Sequence, residues 1–434
     1  DVLDRPLSVT LPDASTTHHT YGFGAVDGRV QFKTETVDAE ANRRAVYRDV
    51  RALIVAVREA NPKGGQARLT TRYHYDRLGQ LERVTDAAGH VTAVGYDRLG
   101  RRTRIHNPDT GLVEWRYDLA DNLLARVTPR LRARGEAIAY RYEYNRLIGI
   151  DYPTTPEQNV RYQYGADTPE ARAAGRVARV ARVEHGSGYE ERWYGRLGEV
   201  VRETRAVHLP QSQWHSGAKH HQGKTQPEAY EVFTTQYAYD SFGRLLRLVY
   251  PDGETLTYRY DAGGLPEAVW GTHKGAPYAY VKRIGYDEFE SRVHVALGNG
   301  AVSDYAYDAK TRRLATLATH SAGYQFQNLG YRYDRVGNVT ALVNDVAVPA
   351  DGLGGYVSQQ FAYDNLARLT QASGTYQGAG DRREEYTLAL SYDGLHNLTQ
   401  KTQVHTVTRL TGSGTKHATS YDWAYQYTGA QPHA

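Results

Sequence analysis

The chain has no cysteine and no methionine, and its 434 residues include only 7 phenylalanines and 15 prolines. Without cysteine there is no disulfide, no thiolate zinc site and no cysteine nucleophile. That absence does not assign a compartment. Without methionine there is no initiator, and the first residues do not read as a signal peptide. Long apolar runs are missing too. The cleanest is ALIVAV at 52–57, whereas a membrane-spanning helix needs about 20 such residues. Neither charge sign dominates, with 53 Lys and Arg against 49 Asp and Glu, so no strong nucleic-acid or membrane field follows and no nucleic-acid partner is expected. The pI near 8.9 is a weak hint at most.

What is abundant is tyrosine, 36 residues, and glycine, 42. Mean hydropathy is −0.65. Aromatic mass therefore sits on a residue that keeps a hydroxyl, which suits half-wet surfaces better than a dry core.

Aligned on Tyr-Asp, the chain resolves into a repeat. It reads YDRLGQL at Tyr75-Asp76, YDRLGRR at Tyr96-Asp97, YDLADNL at Tyr117-Asp118, YDSFGRL at Tyr239-Asp240 and YDAGGLP at Tyr260-Asp261. It continues as YDEFESR at Tyr286-Asp287, YDAKTRRL at Tyr307-Asp308, YDRVGNV at Tyr333-Asp334, YDNLARL at Tyr363-Asp364 and YDGLHNL at Tyr392-Asp393. YNRLIGI at Tyr144 and YGRLGEV at Tyr194 read as degenerate copies. Neighbouring tyrosines are 21 apart at 75/96, 96/117, 239/260 and 286/307, and 26 to 30 apart where a loop is expected to have grown.

Each part of the unit has a mechanical reading. A second Tyr commonly stands two positions earlier, as at Tyr73, Tyr237, Tyr258, Tyr305 and Tyr331. Positions i and i+2 share one face of a strand, so each pair is expected to form an aromatic stripe. The Asp can accept from amides two residues on and start a turn. Gly79, Gly100, Gly243 and Gly337 supply the positive φ such a turn needs. A second strand follows and ends in another turn signal, such as DAAG at 86–89, NPDTG at 107–111, PDG at 251–253 or LGNG at 297–300. The expectation is all-β: a meander of roughly two dozen antiparallel strands, where open sheets rarely pass about ten without curling. Such a sheet must coil. The stretch 39–61 has helical composition, but VYRDVRALIVAV reads better as one more Tyr-turn-strand unit.

These units, alternating with PDG turns along essentially the whole chain, resemble the YD or Rhs repeats of bacterial polymorphic toxins. Relatives of that kind include toxin-complex C components, Rhs effectors and, more distantly, teneurin-type shells. The resemblance implies a spiralling antiparallel sheet forming part of a hollow cocoon around a C-terminal toxin, secreted or at a bacterial cell surface. It also implies as partners the rest of the same shell (flanking repeats and the Rhs core), an enclosed toxin polypeptide and a delivery component. One continuous array over 1–434 is expected, with an insertion at about 204–232. DVLDRPLSVTLPD at 1–13 resembles a unit whose Tyr is lost, so Asp1 reads as the Asp of a motif begun upstream. YQYTGAQPHA at 425–434 resembles the stretch before the Rhs core, so core, autoprotease and toxin are expected beyond it. The runner-up is a teneurin-like surface repeat that binds a glycan or receptor.

Chemistry was sought and read as structure. DTG at Asp109–Gly111 matches an aspartic-protease signature, but it lies inside an expected turn and has no second copy to make a dyad. GAKHHQGKT at 217–225 nearly matches a phosphate loop, with one residue too many and no strand–helix context. His208, His215, His220 and His221 lack metal-ligand spacing. Arginines cluster at 98, 101, 102 and 104, at 130, 132 and 134, and at 172, 176, 179 and 182. With acids nearly matching bases, they read as a salt-laced surface before a polyanion site. NVT at 338–340 and NLT at 397–399 fit the glycosylation sequon, which carries little weight here. No enzyme, cofactor or metal is expected.

Overall fold

A computed structural model describes residues 1–208, 230–350, 352, 354–409, 412–415, 419–427 and 431. The described residues hold 33 strands. Among the described residues helical structure is confined to the one-turn helices Pro129–Arg132 and Pro169–Ala173 and the 3-10 turns Pro62–Gly64 and Pro156–Gln158. The two short α-helices begin at Thr-Pro steps that the repeat pattern did not announce. Thr128 and Thr168 cap them by accepting the amides of Leu131 and Ala171.

The chain folds as two compact units, one of Asp1–Leu112, Tyr286–Val295 and Gly300–Ala434, the other of Val113–Gly285 and Ala296–Asn299. In the first, strands from Thr16–Val26 to Arg102–Asn107 each pair antiparallel with the next in sequence. So do those from Val302–Tyr307 to Leu398–Arg409. In the second, the same meander runs from Leu123–Val127 to Ala276–Tyr286. Consecutive pairing follows from short turns, because two strands joined by a few residues have no nearer neighbour.

The stretch 39–61 is strand, as Arg43–Arg48 and Ile54–Asn61. With Val26 its side chains build a dry patch: Val26, Ala45, Tyr47 and Ala56 are buried together, with Val55 against them. Tyr47 lies flat across Gly24, where a Cβ would come within 2.8 Å of its ring.

Wider repeat spacing is not simply added loop. Between Tyr260 and Tyr286, Tyr307 and Tyr333, and Tyr363 and Tyr392, the extra residues lengthen hairpins, as in Leu369–Gly378 against Arg382–Tyr392. Residues added in cross-strand pairs keep every backbone donor and acceptor matched, which an irregular loop cannot do. The margins of the expected insertion behave likewise, forming the strands Val200–His208 and Tyr230–Tyr239. GAKHHQGKT, His215, His220 and His221 lie outside the described residues.

Candidate functional site

The recurring structure is the turn that follows each tyrosine. In the copy at Tyr75, the Asp76 amide donates to the Gln80 carbonyl (2.9 Å) and the Gly79 amide to the Asp76 carbonyl (3.2 Å). Asp76 Oδ1 accepts the amides of Leu78 and Gln80, both at 2.8 Å. Gly79 has φ +82°, and the register slips by one residue between His74 and Tyr75. This is a type I turn closed by a left-handed residue and a bulge, whose twist matches the flanking strands. The copies at Asp97, Asp118, Asp240, Asp287, Asp334, Asp364 and Asp393 repeat the Oδ1 bonds two and four residues on. Asp261 keeps the bond four residues on, to Leu265. Asp308 closes a turn one residue longer. The PDG and DAAG turns share the backbone geometry, with Tyr250 and Asp86 in the Asp position. Asp1–Arg5 closes in the same way.

The second carboxylate oxygen has a partner that the repeat alignment left in the next strand. Asp97 Oδ2 accepts from Arg101, and Asp240 Oδ2 from Arg244, both at 2.7 Å. Asp118, Asp334 and Asp393 accept instead from Asn122, Asn338 and Asn397. Burial alone would raise Asp97 and Asp240, but the amide and guanidinium of the following arginine hold both carboxyls below their ordinary range. Asn338 and Asn397, the two sequon asparagines, thus spend their side-chain amide inside the turn.

Tyrosine hydroxyls join one repeat to another. Tyr96 donates to the Leu81 carbonyl (3.1 Å), Tyr260 to Leu245 (2.8 Å), Tyr363 to Val339 (2.8 Å) and Tyr392 to Leu369 (2.9 Å). Each acceptor stands five residues after the preceding repeat's Asp. Tyr307 reaches Arg292 in the same way, and Tyr333 reaches Leu314. The arginine of the earlier turn then covers the later ring: Arg244 lies 4.7 Å from Tyr260, and Arg368 4.7 Å from Tyr392. Along the strand, Tyr237 stacks with Tyr239 and Tyr331 with Tyr333, both at 6.4 Å.

Two degenerate copies differ from their alignment. Tyr144 is 86% exposed, and with φ +48° at Tyr144 and +61° at Asn145 it forms the tip of a two-residue hairpin. Tyr142 takes the repeat position instead. It pairs with Leu147 after the bulge and bonds the Leu123 backbone, five residues past Asp118. A shortened turn displaced the tyrosine by two, which preserves its face. At Tyr194 the Asp is replaced by Gly195, and Glu199 swings back to accept the Leu197 amide at 2.9 Å. A Cβ on residue 195 would sit 1.9 Å from Glu199 Oε1, so the glycine and the displaced carboxylate belong together.

One set of residues far apart in sequence meets in the first unit. Asn61 is wholly buried. Its Nδ2 donates to Gln66 Oε1 (2.6 Å) and to Asp364 Oδ2 (3.1 Å), 303 residues away. Its Oδ1 accepts the Asn365 and Gly64 amides at 3.1 and 3.3 Å. Arg368 binds Asp364 (2.7 Å), the Asp393 carbonyl (2.9 Å) and Gln66 (3.0 Å). Gln66 also donates to the Tyr392 carbonyl at 2.8 Å. Gly64 leaves the space, since a Cβ there would stand 2.1 Å from Asn61 Nδ2. The Asp364 and Arg368 side chains are 0% and 9% exposed. Burial pushes the Asp364 carboxyl up, and the Arg368 amide and guanidinium with the Leu366 amide more than reverse it. Of the expected repeat residues, this seam unites only those near 364 and 392; the others stay dispersed along the strands.

The remaining candidates resolve into structure. In NPDTG, Asn107 Oδ1 accepts the amides of Asp109 and Thr110. Arg132 pairs with Glu114, Arg172 with Asp167 and Arg182 with Glu184 and Glu191, while Arg176 stacks on Trp193. Among the described residues no group of three or more His, Asp or Glu is arranged to hold a metal, and no helix is long and apolar enough to cross a membrane.

Turn, clasp and meander together define a tandem β-repeat protein. A family model described as the RHS repeat matches residues 75–112 and 239–269, and those segments carry RHS repeats. The toxin subunit YenC2 of Yersinia entomophaga is 30% identical over 197 residues, 39% of this chain and 20% of that protein. The toxin protein Tse5 of Pseudomonas aeruginosa is 26% identical over 370 residues, 81% of this chain and 21% of that protein. The chain thus spans about a fifth of these relatives' length. Among solved structures, TcdB2-TccC3-Cdc42 covers 95% of this chain at TM-score 0.75 and 19% identity, using 22% of its own chain. The Photorhabdus luminescens Tc holotoxin pore covers the same 95%, with 22% of its chain, at 0.74 and 19%. At that identity the likeness shows the fold alone.

Proposed function

We propose that this chain is a wall segment of the encapsulating shell of a large secreted bacterial toxin, enclosing a toxic polypeptide for delivery. The observation that carries the reading is the clasp, in which Tyr96, Tyr260, Tyr307, Tyr333, Tyr363 and Tyr392 each fasten onto a backbone carbonyl just past the preceding turn, in a chain whose relatives are toxin proteins. The Tyr, Asp and Gly positions then have structural roles, and the chemistry belongs to the cargo. Leu78, Leu99 and Phe289 stand exposed at turn tips, while Leu366 and Leu395 beside the seam are half-buried. In this reading further shell or a delivery component covers the exposed ones.

The test is protease protection in the natural polypeptide that carries the array. The cargo is expected to resist added protease in the wild type and to be cut readily in Arg368→Leu, where the seam is broken. A cargo cut equally fast in both rejects encapsulation.

A further inference from the structure

Arginine over tyrosine is a habit of this chain, as with Arg182 lying 3.7 Å from the Tyr189 ring. Tyr250, Tyr258, Tyr278 and Tyr280 are among the tyrosines of the second unit without it: no Lys or Arg of the described residues lies over their rings. Tyr250, Tyr258 and Tyr280 line, with Phe233, a recess of about 860 Å³ that also carries Glu231, Asp252 and Glu254 and, among the described residues, no basic side chain. In a chain of net charge +4 this is a locally acidic, aromatic hollow.

The hollow is held in shape. Glu254 Oε1 accepts the Tyr280 hydroxyl at 2.6 Å and the Tyr278 hydroxyl as well. The two hydroxyls are 3.2 Å apart, and the rings meet edge-on at 5.1 Å. Tyr278 can lie this way because residue 271 is glycine, where a Cβ would stand 2.6 Å from its ring. The bond to Glu254 pushes the Tyr280 phenol above its ordinary pKa. Arg205, which opposes Phe233 in register, is held by Glu203 and Glu190. No ion pair among the described residues engages Glu231, Asp252 or Glu254.

Carboxylates flanked by open aromatic faces suit a cation with an apolar stem. A guanidinium fits better than an ammonium, since it is planar, stacks on rings and sheds water more easily. The volume falls in the range of about 300–1,000 Å³ of sites that take more than one side chain. We propose that this recess binds an arginine side chain, with its flanking residues, presented by a partner polypeptide. Glu254 takes the guanidinium, and Tyr250, Tyr258 and Phe233 offer their faces. The inference does not depend on the shell reading.

The experiment titrates the whole chain with the peptide acetyl-Gly-Ser-Arg-Leu-Gly-amide and with its citrulline counterpart, by calorimetry. Saturable binding of the arginine peptide alone is expected, weakened about tenfold or more by Glu254→Gln. Gln keeps an acceptor for both tyrosines, so an unchanged unfolding midpoint shows that the fold is retained. Tyr258→Leu should weaken binding through lost stacking and serves as the second variant. Equal binding of citrulline, lysine or neutral oligosaccharide probes, binding indifferent to Glu254→Gln, or no saturable binding would each overturn the proposal.

Discussion

Tyrosine is used here for both of its ends. The ring stacks along its own strand and under an arginine, and the hydroxyl bonds a backbone carbonyl of the previous repeat. Phenylalanine would supply only the first. Tyr260→Phe should therefore cost about 1 kcal/mol, the net worth of one hydrogen bond, read as a lower urea midpoint at unchanged slope; no shift would reduce the clasp to a packing contact. The carboxylate is less tied to one position. In the repeat at Tyr194 it has moved from residue 195 to Glu199. Gly195→Asp alone brings two carboxylates together and should destabilise. Gly195→Asp with Glu199→Arg recreates the common pattern and should recover more than about 1 kcal/mol of that loss, as coupled neighbours do. Strict additivity would show that the two positions do not share one job.

At the scale of the turn, the left-handed position decides the cost. Gly79 and Gly100 occupy it at φ +82° and +81°, but Ala52 and Ala367 hold it at +62° and +57°. A Cβ there costs about 1–2 kcal/mol, partly offset by glycine's greater unfolded-state freedom. Ala52→Gly is expected to stabilise by about 0.5–1 kcal/mol, and Gly79→Ala to destabilise by about 1 kcal/mol; thermal midpoints moving together in one direction would contradict this. The Tyr, Asp and Gly of each turn were legible in sequence because they act on residues one to four positions away. The partner at Asp plus four was equally visible, in Arg101, Asn122, Arg244, Asn338 and Arg368, yet it read as the start of the next strand. Its second contact, with the ring of a later repeat, has no local signature.

At the scale of the molecule, many weak local locks are joined by a few distant ones. Asp364 and Arg368 form the most buried ion pair described, and removing one partner strands the other. Arg368→Leu is expected to cost about 3–5 kcal/mol, far more than the same change at exposed Arg172; equal costs, measured by denaturant unfolding, would show the seam to be incidental. The pH response follows from shifts of opposite sign. Asp97, Asp240, Asp287, Asp308 and Asp364 have lowered folded pKa values. Their contribution is present above the unfolded carboxylate value near about 4 and is lost as pH falls through the folded values. Tyr75, Tyr239, Tyr333, Tyr363 and Tyr392 are raised, chiefly by burial. Their contribution is present below about pH 10 and is lost as pH rises through the folded values. Stability should form a plateau between these limits, and a thermal midpoint that climbs on acidification below pH 4 would refute the sign.

The sequence by itself determined the strand, the turn and their alternation, because Tyr, Asp and Gly act through bonds that span a few residues. Through its lack of cysteine it also excluded disulfides and thiolate metal sites. It could not place Asn61 against Asp364, nor Glu254 beneath Tyr278 and Tyr280. The first meeting depends on how far the twist of each strand accumulates before the chain returns to itself, a sum of small angles that no single spacing records, and the second on the register of three consecutive strands. Tertiary structure also chose Tyr142 over Tyr144, since register rather than the letters of the motif sets which ring takes the position after the bulge.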